Sequence, residues 1–386
     1  MNSRSSSPHV HNPYRPLFLI GILAALIGAG LWIPYGFNLL SFYPGRMHAH
    51  IMMGIFLPSF ASGFLMTAIP KMTQTFPAKR WELYVQIVAL GVAAASSFSG
   101  EENASYFVSI LISLLLLSVF AIRRLRVRRN DLPEVFPFVQ VGLLSGLAGS
   151  SLWLAGFQDV GHRLFYLNFI LCLVLGVGSR LIPALLRLQA PTRNVSRLEV
   201  YFYALLVTAA CFIESSAWSS VGAWLRVAAV MGVAIRHWRI LDKSAFGSGI
   251  SWGVRLSASS VLVGNVLYAA DSAHPFEWLH LIYVSGFGLL TFMIASRVSL
   301  AHGGHNLALE LKNWHIKIPV GLILLSAATR ALAPFWPEDY QRHLAYASLC
   351  FVSAVIVWAA FFVPKILNDA PASDQFFQMA GGNGRR

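Results

Sequence analysis

Carboxylates are scarce in this chain: Asp and Glu number 16 against 29 Lys and Arg in 386 residues. The four charged types together make up 12%, about half of the ~25% found in an ordinary soluble domain. So little charge cannot build a water-facing surface when 56% of the side chains are apolar. A soluble globular protein is therefore excluded. Cysteine is nearly absent too. Cys172, Cys211 and Cys350 form no CxxC pair, which rules out a disulfide framework and covalent c-type haem attachment. There is no phosphate loop, no dinucleotide glycine fingerprint and no HExxH metal motif.

What the chain has instead is long apolar runs. Twelve approach the roughly 20 residues a helix needs to cross hydrocarbon. They lie at 17–34, 48–69, 83–98, 105–122, 137–157, 163–185, 198–216, 220–236, 250–270, 276–298, 317–333 and 340–363. Runs three, seven and eight are short or interrupted. None alternates with the two-residue period of a membrane barrel strand. The expected fold is an all-α polytopic membrane protein of about twelve spans. One transmembrane domain covers 17–365, between a polar N-terminal tail, 1–16, and a flexible C-terminal tail, 366–386. The run after the N-terminal tail is too long for a cleaved signal peptide.

The net charge of +13 is a topology signal and not a nucleic-acid patch. With twelve spans and the N-terminus inside, Lys71, Arg80, Arg123–Arg129, Arg187, Arg236, Lys312 and Lys365 all fall on the inner side. The outer connections collect Glu101, Glu102, Asp159, Asp271, Glu277, Glu338 and Asp339. That distribution obeys the positive-inside rule. It puts both termini on the cytoplasmic side, with the basic side drawn to anionic lipid; the inner (cytoplasmic) membrane of a bacterium is the expected location.

Against this apolar background, Met47-His48-Ala49-His50-Ile51 stands at the outer edge of span two. Ionisable groups at membrane depth are costly, so a histidine pair there marks a site. Histidine is the commonest metal ligand and the usual axial ligand of haem. Residues two apart on a helix are separated by about 200°, so His48 and His50 face different directions. They suit two neighbouring centres, or one haem and one hydrogen-bonded partner. His280 lies at similar depth in span ten, its face continuing through Val284, Phe287, Thr291 and Ile294. A bis-histidine haem between spans two and ten follows as an expectation. The bland alternative is a core histidine bonded to a backbone carbonyl.

Spans two, six and ten also repeat one another. Aligning Thr67, Arg180 and Arg297 puts a histidine 17, 18 and 17 positions earlier, at His50, His162 and His280. The four-span recurrence suggests three four-helix units around a pseudo-threefold axis. Arg180 and Arg297 sit near the inner ends of their spans, and Arg226 and Arg255 also lie in apolar sequence. Asp and Glu are almost absent from the spans apart from Glu214. Haem propionates would supply the missing anions to Arg180 and Arg297, and snorkelling to inner headgroups is the alternative. His302 and His305 follow span ten around Gly303-Gly304, on the inner side. They cannot join the outer site.

Several stretches together resemble one family. They are Pro13-Tyr14-Arg15-Pro16-Leu17-Phe18, His48-Ala49-His50 with Gly54, Gly63-Phe64-Leu65-Met66-Thr67-Ala68-Ile69-Pro70, Gly178-Ser179-Arg180-Leu181-Ile182-Pro183, and His280 through Arg297 to Ala301-His302-Gly303. The chain resembles the NnrS family, haem- and copper-containing membrane proteins linked to nitric oxide and distantly similar to the catalytic subunit of haem-copper oxidases. The resemblance implies haem b and copper, with His48, His50 and His280 as metal ligands, His302 serving an inner centre, and nitric oxide as the small ligand. It also implies binding or detoxification of nitric oxide, or protection from nitrosative stress. Three positions depart from the family pattern: Ile51 in place of an acid, Met72 in place of tryptophan, and Arg255 where a histidine is usual. A cation at Arg255 would oppose a nearby copper ion. Two other classes stay open: a secondary transporter without a redox cofactor, and a membrane redox enzyme akin to nitric oxide reductases or quinol oxidases, fed by an electron donor.

Overall fold

The computed structural model describes residues 12–99, 104–189, 195–242, 248–311 and 314–370. Regular structure among them is entirely helical. Twelve long helices run through it: α1 (Tyr14–Gly36), α2 (Gly45–Thr73), α3 (Arg80–Ser96), α4 (Ala104–Arg126), α5 (Phe136–Leu154), α6 (Gln158–Leu185), α7 (Arg197–Glu214), α8 (Ser219–Arg236), α9 (Gly249–Ala270), α10 (Pro275–His302), α11 (Trp314–Leu332) and α12 (Tyr340–Leu367). Each matches one of the twelve apolar runs. Ten of the described helices are long and apolar enough to cross a membrane. The other two are α3, with 17 residues, and α7, which carries Arg197, Glu199 and Glu214 in its 18. The chain is a multi-pass α-helical membrane protein. Helix α1 begins at Tyr14, inside the stretch expected as tail, and α12 ends at Leu367; residues 1–11 and 371–386 of the two tails lie outside the described residues.

The packing repeats three times. In α1–α4, α5–α8 and α9–α12 alike, the first helix packs on the second, the second on the third and fourth, and the third on the fourth. The last helix of each group meets the first of the next, and α12 closes the ring on α1. The second helices, α2, α6 and α10, are the innermost. Their apolar stretches are 78%, 72% and 61% buried, against 39–56% for the other membrane-crossing helices.

These three helices also share an irregularity. Each starts with a short α-helical piece and continues as a π-helix, Ile51–Phe56, Arg163–Phe169 and Leu281–Gly288, before returning to α. The residues just before the three π segments are His50, His162 and His280, the same three that the sequence alignment brought together. A π turn adds a residue and loosens the normal carbonyl pairing. Neighbouring helices take up freed carbonyls: the Tyr106 hydroxyl donates to His50 O at 3.1 Å and Ser257 Oγ to Gly286 O at 2.8 Å. The wider turn also splits the face expected below His280. Val284 faces a large cavity with His280, whereas Thr291 and Ile294 line a separate apolar pocket and Phe287 is buried against Tyr283.

Three glycines allow close approaches here. The carbonyl of Gly161 lies 2.8 Å from where a Cβ would stand on Gly149, and the converse holds at the same distance, so α5 and α6 touch backbone to backbone. A Cβ on Gly54 would collide with the Tyr106 hydroxyl. Gly54→Ala is expected to push Tyr106 off the His50 carbonyl and destabilise the protein by about 1–3 kcal/mol, as overpacking does. Gly91→Ala, where a Cβ meets open space, is the control. Thermal unfolding in detergent checks the pair, and equal melting of both variants would refute the close-packing argument.

Candidate functional site

The large cavity, about 660 Å³, opens at the end of the molecule where α2, α6 and α10 begin. That volume falls within the ~300–1,000 Å³ of small-molecule and cofactor sites. All three repeats contribute to its wall, and three histidines line it: His48, His162 and His280.

His48 and His280 form a pair. Their ring centres are 6.3 Å apart and their planes 15° from parallel. Each is held from behind by a backbone carbonyl. His48 Nδ1 bonds Gly28 O at 2.8 Å, and His280 Nδ1 bonds Phe276 O at 2.6 Å. A carbonyl only accepts, so both Nδ1 atoms carry the proton and both Nε2 atoms keep a free lone pair. Metal-ligating histidines are commonly oriented in this way. With metal–nitrogen distances of ~2.0–2.1 Å, two imidazoles sharing one ion have ring centres roughly 6 Å apart. The observed spacing fits that requirement. The edges of Trp32 and Tyr283 pack on the two rings.

His50 does not join them. It stacks on Tyr106 at 3.9 Å and meets the edge of Phe107 at 6.0 Å. The two histidines of the HxH pair thus serve different surroundings, as their angular separation on the helix requires. His50 is 3% exposed, and its Nδ1 is buried with no hydrogen-bond partner. His162 stacks on Tyr166 at 5.1 Å and lies 6.1 Å from the same Phe107 ring. His50 and His162 therefore flank one aromatic side chain.

Two arginines line the cavity, Arg163 and Arg330. Arg163 is well paired, with Asp159 at 3.1 Å, Glu214 at 3.2 Å and the Tyr268 hydroxyl at 3.1 Å. Arg330 has a longer contact, 3.4 Å to Glu277. The arginines nominated from sequence lie elsewhere. Arg180 is exposed and reaches Met72 Sδ at 3.3 Å. Arg297 donates from Nη1 to both Glu310 carboxylate oxygens, at 2.7 and 2.8 Å, and the buried Arg226 pairs with Glu214. The anion expected from outside the chain for Arg297 is thus supplied from within it, as is the partner of Arg226. Arg330 escaped the sequence reading because its partner Glu277 is 53 residues distant; Arg163 has Asp159 within one helical turn, but its contact with Glu214 spans 51 residues.

The remaining candidates are also placed. His302 ends α10 at the opposite, basic end, where Lys71 Nζ donates to its Nδ1 at 2.6 Å. His305 Nε2 bonds the carbonyls of Lys365 and Asn368. Arg255 donates to the carbonyls of Ile240 and Asp242 and does not line the histidine cavity. His274 bonds Asp271 at 2.9 Å, and Trp278 Nε1 donates to the same carboxylate. Those two hydrogen bonds, His274's first, hold the Asp271 carboxyl below its usual range and fix the start of α10. Among the described residues no three His, Cys, Asp or Glu side chains converge as a metal cage. A pair of histidines suits a metal that brings its other ligands with it, as in a porphyrin.

A family model described as NnrS protein matches residues 8–369, nearly the whole chain, and the chain belongs to that family. No curated protein sequence matches it.

Proposed function

We propose that this NnrS-family membrane protein holds a b-type haem between His48 and His280 and binds nitric oxide there, removing it or shielding the cell from it. The observation that carries the reading is the histidine pair itself: 6.3 Å between ring centres, near-parallel planes and both Nδ1 atoms tied to carbonyls. The cavity around the pair has the room, and Arg330, with Arg163 behind it, would meet the propionates. Bound there, haem would supply an iron able to ligate nitric oxide.

The protein's own part is positional. Gly28 O and Phe276 O fix the tautomer and direction of the two imidazoles, and Trp32 and Tyr283 crowd their edges and limit water. Copper, which family membership suggests, belongs to the same proposal. His50 and His162 are further imidazoles beside the cavity, and imidazole suits copper. Arg255, bonded at the basic end, does not oppose an ion there. The basic end faces the cytoplasm of a bacterial inner membrane by the positive-inside rule. Electrons for any turnover come from a donor outside this chain.

Protein purified in detergent after expression with ample haem is expected to show a Soret band and a pyridine haemochrome of the b type. Nitric oxide added to the dithionite-reduced sample should shift that spectrum, and a deletion strain should grow less well than its parent under nitric oxide. A folded but colourless protein would overturn the proposal and restore the transporter reading.

A further inference from the structure

Below the histidine cavity, α2, α6 and α10 line a second, smaller pocket of about 70 Å³. Its wall comes from all three repeats and from Phe18 of α1, and of the lining side chains only Thr291 carries a polar atom. It lies at mid-depth: Leu57 to Leu65 are the middle of the 29-residue α2. Leu57 also lines the histidine cavity and is the side chain the two spaces share.

We infer that this pocket is a holding site for a small apolar gas molecule, a diatomic of the class of nitric oxide, dioxygen or carbon monoxide, passing between the bilayer interior and the histidine cavity. Three properties select that occupant. A buried water needs two to four polar partners, and one hydroxyl cannot supply them. Apolar cavities of this kind stay dry and take up xenon or small hydrocarbons. The volume is far below the ~300 Å³ at which ordinary ligand pockets begin, so a substrate with polar groups is excluded by size as well as by chemistry. Apolar gases concentrate in hydrocarbon, and the pocket sits at the depth where they do so. Leu57 is then the gate: its side chain must swing for a guest to pass upward. The destination rests on the haem reading above; the pocket itself does not.

The test uses the full chain, purified with haem, and two gases as probes. Crystals of wild type under xenon pressure are expected to show xenon between Ala61, Val174 and Thr291. Ala61→Phe, which fills the space from α2, should lose it. In solution, carbon monoxide photolysed from the reduced protein should rebind about tenfold more slowly in Ala61→Phe, with the absorbance spectrum unchanged. Ile294→Phe fills the pocket from α10 and serves if the first variant does not fold. Absence of xenon from the wild-type pocket, density for a lipid or detergent tail in its place, or unaltered rebinding in a filled variant each overturns the inference. A colourless wild type that still takes up xenon refutes the haem reading and leaves the gas site standing.

Discussion

His48→Ala and His280→Ala should each strip most of the haem from the purified protein, whereas His50→Ala should keep haem content and Soret position close to wild type. The asymmetry follows from where the three rings point. His48 and His280 lie side by side in the cavity wall with near-parallel rings 6.3 Å apart, and His50 is turned onto Tyr106. Removing a single ligand from a two-histidine site leaves the metal one protein bond. Even loss of an outer-shell partner costs metal sites ~10–100-fold in affinity, so loss of a ligand should cost at least that much. Haem per chain, measured by pyridine haemochrome after gel filtration, reads the result. His50→Ala losing the haem while His48→Ala retains it would show that the pairing is wrong. Arg330→Gln adds a graded case: its ion pair with Glu277 is stretched to 3.4 Å, so it is the cation most able to turn to a propionate. Haem should stay bound in that variant but dissociate faster.

The membrane fold was legible because span length is a one-dimensional property, set by bilayer thickness. The threefold repeat was legible for a related reason: equivalent helices kept a histidine at nearly the same distance from Thr67, Arg180 and Arg297. The angular separation of His48 and His50 needed only helix geometry. The site below His280 was misread, because the π segments follow no simple residue pattern and each shifts the helical face beyond it. Val284 stayed with the cavity while Thr291 and Ile294 moved to another pocket. The cations that line the cavity went unnoticed for a different reason. Arg163 meets Glu214, and Arg330 meets Glu277, only through tertiary packing. Spacing along the chain carries no trace of such pairs. Arg180 and Arg297 drew attention through their helix positions, and both lie at the far end from the histidine cavity.

The largest stability effect is expected at Glu214, which ends α7. A carboxylate at a helix C-terminus opposes the macrodipole, so partners elsewhere must hold it. The wholly buried Arg226 of α8 supplies the main one, with Arg163 of α6 at 3.2 Å. Arg226 also donates to Asn265 Oδ1 of α9 at 2.7 Å and lies over the Tyr268 ring at 4.6 Å. The cluster therefore fastens the second four-helix unit to the third, beside the cavity wall that Arg163 lines. Glu214→Ala leaves Arg226 charged and buried without its carboxylate, which costs about 3–5 kcal/mol in sites of this kind. Arg226→Met strands the carboxylate instead, although Arg163 still faces it, so its cost should be smaller. Replacing both partners, Glu214→Leu with Arg226→Met, removes the charges together and should recover much of the loss. Melting of the three variants in one detergent decides the matter. Additive losses in the double variant would mean that the two residues act independently, and the joint between the units would then rest on apolar packing alone.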